Sequence, residues 1–576
     1  MPGDTLHVNN RAVQQHTYDA IVVGSGISGG WAAKELCEKG LKTILLERGR
    51  NVVHIKDYTD ATTPPWELKH RDTVTPEDRR QQHIQSKIYA YNEVSKHFFV
   101  NDLENPYVPV KPFLWMRGYQ VGGRSLVWGR QCYRWSDLDF EANIKDGHGM
   151  DWPLRYKDLE PWYDYVEPFV GISGTLENLP QLPDGHYMPP MDMNCVEREI
   201  AQRIRKIYND ERRMIIGRTA NHTRPVGDRG PCQFRNKCDH GCPFSGYFSS
   251  NAATLPSAAK TGNLTVRPFS IVTEVLYDKD KRRATGVRVM DTETMEYSEY
   301  YARIIFLNAS TLNTFFILMH SVSDVFPNGF GNSSGQLGHY LMDHHLGVGA
   351  SGRFEGFEDS YYYGRRPTVT YIPRFRNLNE RSRHPEFVRG YSFGTGAGRA
   401  GYSRHVHGEQ IGAAFKDELC EPGAWSVDFA GMGETLPYYE NKVSLDPVKK
   451  DKWGLPLLAI DCELKDNEKK MREDIIATAA EMLEKVGATN IRTRNSADHF
   501  DQRIFSVHEM GTARMGSDPR QSVLNRHNQM HDVPNVFITD GSCMVSNSCL
   551  EPSLTYMALT ARACDFAVKE LQRRNL

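Results

Sequence analysis

The sequence predicts an α/β chain: a doubly wound, Rossmann-like dinucleotide-binding domain with an interleaved second domain built on an antiparallel sheet. Three observations predict it. A strand, a Gly-rich turn, a helix and a second strand follow one another from Tyr18 to Glu47. A further apolar stretch, Tyr300 to Val322, reads as a buried strand running into a helix. Between 346 and 465 lie several β-prone runs (GVGASGRF, TVTYIPRF, WSVDFAGM) separated by turn residues, the text of a second sheet.

The 576 residues suffice for two or more domains, or one interleaved pair, around a sizeable core. Lysine plus arginine (70) nearly balances aspartate plus glutamate (72), leaving a net charge of -2. That balance argues against a nucleic-acid footprint or an anionic membrane surface as partner. No segment reads as membrane-spanning: Tyr300 to Val322 is broken by Arg303, Asn308, Asn313 and His320, and a span needs roughly 20 predominantly apolar residues. The first 16 residues are polar and expected to form a loose arm. They show no basic n-region and no apolar h-region, which favours the cytoplasm unless a partner subunit carries an export signal. Eleven cysteines are too sparse for a disulfide scaffold in a chain this long.

In chain order, residues 102 to 153 are aromatic and rich in Pro and Gly, as loops beside a ligand are. Leu154 to Val170 reads as one or two short helices. Residues 263 to 308 alternate apolar and polar around the charged turn Asp278 to Lys281, giving a hairpin-like pair of strands and a third. Asn467 to Val486 is an amphipathic helix ending before Gly487, and Cys549 to Gln572 reads as a loop and a closing helix. The expected division is a cofactor domain of 17–345 with 500–576 and a substrate domain of 346–499.

The N-terminal unit carries the sharpest motif. Ala20 to Val23 runs into Gly24-Ser25-Gly26-Ile27-Ser28-Gly29, helical text follows to Lys39, and a second strand ends at Glu47. Gly24 allows the tight turn, Gly26 lets backbone approach a pyrophosphate, and Gly29 lets helix and strand pack closely. The helix N-terminus offers free N–H groups and partial positive charge to phosphates. Glu47 lies about twenty residues on, where an acid accepts hydrogen bonds from the adenosine ribose. The position near the N-terminus, with Glu47-Arg48-Gly49 after the second strand, points to FAD rather than NAD.

Further motifs follow in order: RGYQVGGRSLVWG (117–129), NLTVRPFSIVTEVLYD (263–278), ARIIFLNASTLNTFFILMHS (302–321), HEMGTARMG (508–516) and NVFITDGS (535–542). With the N-terminal unit they resemble the glucose–methanol–choline (GMC) oxidoreductase family, and within it the branch of sugar dehydrogenase large subunits. The resemblance implies FAD-dependent oxidation of an alcohol. It implies that Gly122, Gly123 and Ser125 lie along the flavin and pyrophosphate, and that Val272 meets the adenine through its backbone. Asp540 and Gly541 would hold the pyrophosphate side, and Ser553 the pyrimidine edge of the flavin. Arg48 and Arg117 are counted with these cofactor-binding residues. Some members attach flavin through a His after the paired glycines; Arg124 to Trp128 contains none, so the FAD is expected to be non-covalent. The helix after the third strand departs from the family's Ser-Pro pair, with Thr314-Phe315 there.

Oxidising an alcohol removes a hydroxyl proton while hydride leaves carbon, and a neutral His suits the proton step. The resemblance makes His508 that base. The family's second polar residue, a His or Asn eleven residues after the Asp of the DGS motif, falls on Glu551. A carboxylate there would raise the His508 pKa by attraction. Asn547 is the alternative occupant, and the plainer reading of Glu551 is an acid at a helix N-terminus.

Cys232, Cys238 and Cys242, the last followed by Pro243, have the look of iron–sulfur ligation. The sugar dehydrogenase branch carries a three-iron (3Fe-4S) cluster on a similar stretch. The rival is zinc held with His240, an awkward spacing for a tetrahedral site. A one-electron centre beside flavin implies a dehydrogenase, with glucoside 3-oxidation to a 3-keto sugar as the specific expectation. A small subunit with an export signal and a c-type cytochrome are the expected partners, placing the chain in the periplasm. A dioxygen-using oxidase with a structural metal and a non-catalytic flavin-binding subunit stay open.

Overall fold

The computed structural model describes residues 16–64, 66–360, 366–399, 411–420, 423–496 and 504–576. The arm expected over 1–16 therefore lies, but for His16, outside the described residues.

Two sheets dominate. The first has seven strands. Its parallel part runs Leu264–Arg267, Thr43–Leu46, His16–Val23, Tyr297–Leu307. The last of these is shared along its length: its N-terminal half pairs antiparallel with Arg283–Asp291, and its C-terminal end pairs parallel with Val536–Ile538. Ser270–Asp278 completes the antiparallel meander. Residues 20–23 of the first strand and the whole of Thr43–Leu46 are buried on both faces. Ala32, Ala33 and Leu36 of the helix Ile27–Glu38 and Ala563 and Ala567 of Ser553–Gln572 share one core with Ala20, Val22 and Phe306.

The second sheet is antiparallel and six-stranded: Thr489–Asn495, His345–Phe354, Trp425–Gly433, Tyr391–Arg399, Thr370–Ile372, Ile215–Ile216. Its edge strand Ile215–Ile216 comes from outside the 346–499 span. Lys442–Lys450 and Pro456–Asp461, inside that span, pair with each other, and Pro456–Asp461 pairs in turn with Val108–Pro109, in a small third sheet. The helix Asp466–Lys485 buries Met471, Ile475, Ala479 and Met482 against Val348, Ala350, Val427 and Phe429. Leu154 to Val170 resolves as a single helix, Tyr156–Val170, continuing through Pro161 and Pro168. The 102–153 stretch is mainly loop, with short strands and turns of helix.

Candidate active site

The first strand delivers the chain to Gly24, whose φ is +92° and where a Cβ would stand 2.2 Å from the Asn308 carbonyl oxygen. At Gly29 a Cβ would stand 1.8 Å from the Gly24 oxygen, so the helix can start only with no side chain there. The flank of Gly26 is different: nothing lies within 4 Å of an added Cβ, and the residue faces a large cavity. Glu47 is buried at the end of the second strand and accepts from the Ser25 amide (3.1 Å), the Ser25 hydroxyl and the Gly49 amide (3.0 Å). Burial pushes its pKa up, and these donors oppose the shift. The Arg48 guanidinium stacks on Tyr119 and Trp453, 4.5 and 4.9 Å from the ring centroids.

The cavity measures about 1900 Å³, beyond the ~300–1,000 Å³ of ordinary ligand pockets, and so has room for a dinucleotide and a substrate together. Gly24, Gly26, Glu47, Arg48, Gly123, Ser125, Val272, Asp540, Gly541 and Ser553 all line it, as do His508, Glu551 and Cys238. The open side of Gly26 beside the N-terminus of Ile27–Glu38 is a cradle that a Cβ would fill, and it suits a pyrophosphate. Gly122 serves the turn, with φ +96° and its missing side chain making way for Asn251. Arg117 also lines the cavity, but its guanidinium is committed to the Asn105 carbonyl (2.7 Å) and Asp102 (3.2 Å). Asp540 caps the turn Gly541–Cys543 through the Ser542 amide and accepts from the Thr314 hydroxyl at 2.6 Å. The departure at Thr314-Phe315 thus supplies a donor that ties the helix Thr311–His320 to the cofactor side.

His508 is held by two elements. Its amide donates to the Asp343 carboxylate (3.0 Å), and its ring Nδ1 lies 3.0 Å from Nδ1 of His344. Arg124, from the paired-glycine turn, grips the next residue, Glu509, at 2.6 Å and the Val507 carbonyl at 3.1 Å. Burial, with His344 and Arg124 nearby, holds the His508 pKa well below the usual imidazole range. This corrects the expectation of a carboxylate raising it: the polar neighbour of His508 is His344, not Glu551. Asp343, His344 and His508 lie within reach of one ion, but the Asp343 oxygens are already taken. They accept from the Ser506 hydroxyl and from the amides of His344, Val507 and His508. The donor set is spent, and the two rings face each other. Neither Asp343 nor His344 stands out in the sequence beyond the run Asp343-His344-His345, 164 residues from His508.

Glu551 faces the cavity elsewhere, with Cys132, Tyr133 and Tyr371 feeling its charge. Burial raises its pKa to about 7, and its Oε2 is buried without a hydrogen-bond partner. Asn547 is fully buried and is not among the cavity's lining residues.

Cys232, Cys238 and Cys242 are free thiols, each partly exposed. Each sulfur receives an N–H: from Phe234 (3.4 Å), Asn221 (4.0 Å) and Gly246 (3.2 Å) respectively. Arg130 lies near Cys238 and favours its thiolate, while burial pushes the Cys238 thiol up. Among the described residues these thiols and His240 are not drawn together around a single ion, and His240 Nε2 turns to Asp72 at 3.4 Å. A four-ligand zinc site, with ligands ~2.0–2.3 Å from the metal, is therefore not formed.

The N- and C-terminal models of GMC oxidoreductase match residues 18–346 and 437–560. The 2-methyl-1,2-propanediol dehydrogenase of Mycolicibacterium austroafricanum is 28% identical, over 95% of this chain and 94% of that protein. The fructose dehydrogenase large subunit of Gluconobacter japonicus is 25% identical, over 96% and 98%. A solved structure of formate oxidase from Aspergillus oryzae RIB40 shares the fold, with TM-score 0.59 at 14% identity over 98% of this chain and 100% of that one. With its dinucleotide cradle, its cavity-facing His508 and family models spanning both halves, the chain belongs to the GMC oxidoreductase family of FAD-dependent enzymes acting on alcohols or sugars.

Proposed function

We propose that the chain is a dehydrogenase for a secondary alcohol of a sugar or glycoside, oxidising a glucoside at carbon 3 to the keto sugar. The observation that carries the reading is one continuous cavity joining the Gly26 cradle, His508, Glu551 and Cys238. FAD, when bound, supplies the hydride acceptor for the carbinol carbon. His508 takes the hydroxyl proton; its lowered pKa keeps it neutral, and so able to accept, at neutral pH. Glu551, Gln131 and Thr368 line the same space, and Glu551 Oε2, with no hydrogen-bond partner among the described residues, is free for a ring hydroxyl. Cys232, Cys238 and Cys242 would hold an iron–sulfur cluster, and the N–H groups that reach their sulfurs would tune its potential. These thiols would thereby give electrons a one-electron exit toward a c-type cytochrome. A small subunit bearing an export signal and a periplasmic location belong to the same proposal.

The test is a panel of glycosides, sugars and simple diols scored by anaerobic bleaching of the flavin. Bleaching by a glucoside with release of a 3-keto product is expected. His508→Ala should retain FAD and slow bleaching by ~100-fold or more, the scale of a lost general base. Wild-type bleaching by that variant would remove His508 from the chemistry. Stoichiometric hydrogen peroxide from the wild-type enzyme would make it an oxidase instead.

A further inference from the structure

We propose that His344 is a positioning residue that selects the tautomer of His508, placing the proton on Nδ1 and leaving Nε2 as the free base toward the cavity. This rests on the reading of His508 as the base. His344 Nε2 lies 2.6 Å from the Ser548 oxygen, which can only accept, so His344 Nε2 carries a proton. Burial keeps His344 neutral, with its pKa at about 4, so its Nδ1 holds a lone pair. Nδ1 of His508 stands 3.0 Å from that lone pair and has to donate to it. A neutral imidazole has one ring proton. With that proton on Nδ1, Nε2 of His508 is bare, and among the described residues no hydrogen bond engages it.

The surroundings support a single arrangement. The two rings stand at 84° with centroids 4.9 Å apart, an edge-on approach compatible with an in-plane lone pair. The charged groups around His508 are Arg124, Glu509 and Asp343. Arg124 is paired with Glu509 at 2.6 Å, and Asp343 spends its oxygens on the amides of residues 344, 507 and 508 and on the Ser506 hydroxyl. None offers a competing acceptor to the His508 ring. When Nε2 receives the substrate's hydroxyl proton, the imidazolium still donates Nδ1–H to His344, so the proton is taken up with no rearrangement of the pair. The Ser548 carbonyl belongs to the loop that carries Glu551, so closure of that loop onto the second sheet is what sets the chain of donors. The same loop's Cys549 carbonyl is held by Tyr371 (3.1 Å) and Ser392 (2.8 Å).

The experiment compares His344→Leu, which fills the space without an acceptor, with His344→Asn, which keeps an amide oxygen on the side facing His508. In the FAD-loaded enzyme His344→Leu should slow anaerobic flavin reduction at saturating substrate by roughly 10²–10⁴-fold, the range in which a general base or its orienting partner acts. FAD content should hold, and KM should stay within about threefold, since only a transition-state interaction is lost. His344→Asn should recover at least about tenfold of the rate. Spectra of ¹⁵N-histidine-labelled enzyme, with His508 assigned by its loss in His508→Gln, should show unprotonated Nε2 in the wild type and a tautomer mixture in His344→Leu. A protonated Nε2 in the wild type overturns the proposal, as does wild-type reduction by His344→Leu. Loss of FAD from both variants assigns His344 to folding and overturns it too. Should His508→Ala itself react normally, the failure lies with the base and not with its partner.

Discussion

Glu551 and His508 line the same cavity, yet burial moves them in opposite senses on the pH axis. Low dielectric disfavours charge, so the carboxyl holds its proton to about pH 7 while the imidazole refuses one well below its usual range. At pH 7 the imidazole is therefore neutral and the carboxyl about half protonated, so a polyhydroxylated substrate meets hydrogen-bonding groups and not a fixed ion pair. The raised Glu551 pKa has a consequence for stability with a definite sign. Below the ordinary carboxyl value of 4.5 folded and unfolded chains both hold the proton. Between 4.5 and about 7 only the folded chain does, so stability falls as pH rises through that window and is level above it. Glu551→Gln removes the titration. Its melting temperature should gain on the wild type as pH goes from 5 to 8, with no gain at pH 4, as thermal melts of the FAD-loaded protein at each pH would reveal. A difference independent of pH would mean that Glu551 is solvated and ionised like a surface acid. The same substitution should lower flavin reduction less than His508→Ala does.

The helix Ile27–Glu38 owes its seat to two glycines with unlike duties. At Gly29 an added Cβ meets the Gly24 carbonyl at 1.8 Å, and backbone cannot yield as a flexible side chain would. Gly29→Ala should therefore lift the helix from its strand and cost about 1–3 kcal/mol or more, the scale of overpacking. At Gly26 an added methyl meets no protein atom, only the cavity. Gly26→Ala should leave the melting temperature of the FAD-free protein near wild type while weakening FAD by at least about tenfold through the lost close approach. Titrating both apoproteins with FAD, alongside their melts, separates the two outcomes. If Gly26→Ala binds FAD as the wild type does, the cradle is not where the pyrophosphate sits. The loop from Cys232 to Cys242 is also seated by a glycine: Gly241, with φ +85°, lies where a Cβ would strike the Tyr58 ring at 2.5 Å.

Across the whole molecule the cavity reaches from the first sheet to the cysteine loop, with Cys238 on its wall. On the proposed reading the thiols act after hydride transfer and stay out of it. Cys238→Ser should leave anaerobic flavin bleaching within about threefold of wild type. Turnover with cytochrome c or another one-electron acceptor should collapse, and iron content should fall. Zinc without iron in the native protein, with equal loss of both half-reactions, would replace the relay with a structural metal. No helix of the described residues is long and apolar enough to cross a membrane.

Much of this was legible in the sequence because it is local. The turn, helix and strands from Tyr18 to Glu47 depend on glycine sterics and burial within one stretch of chain: Gly24 and Gly29 meet the backbone their roles require, and Gly26 opens on the cavity. The helices Asp466–Lys485 and Ser553–Gln572 follow from apolar periodicity in the same way. The GMC motifs named His508 and Asp540, and both line the cavity. What only the tertiary structure decided is pairing across distance. His344 reaches His508 over 164 residues, Arg124 reaches Glu509 over 385, and Ile215–Ile216 joins a sheet whose other strands begin at His345. Glu551 was readable as a residue but not as a neighbour: counting along a loop gives its position in the chain and no information about its direction. Burial supplied the rest. A group's protonation is set by the dielectric and the charges around it, and those surroundings come from segments that the local sequence does not contain.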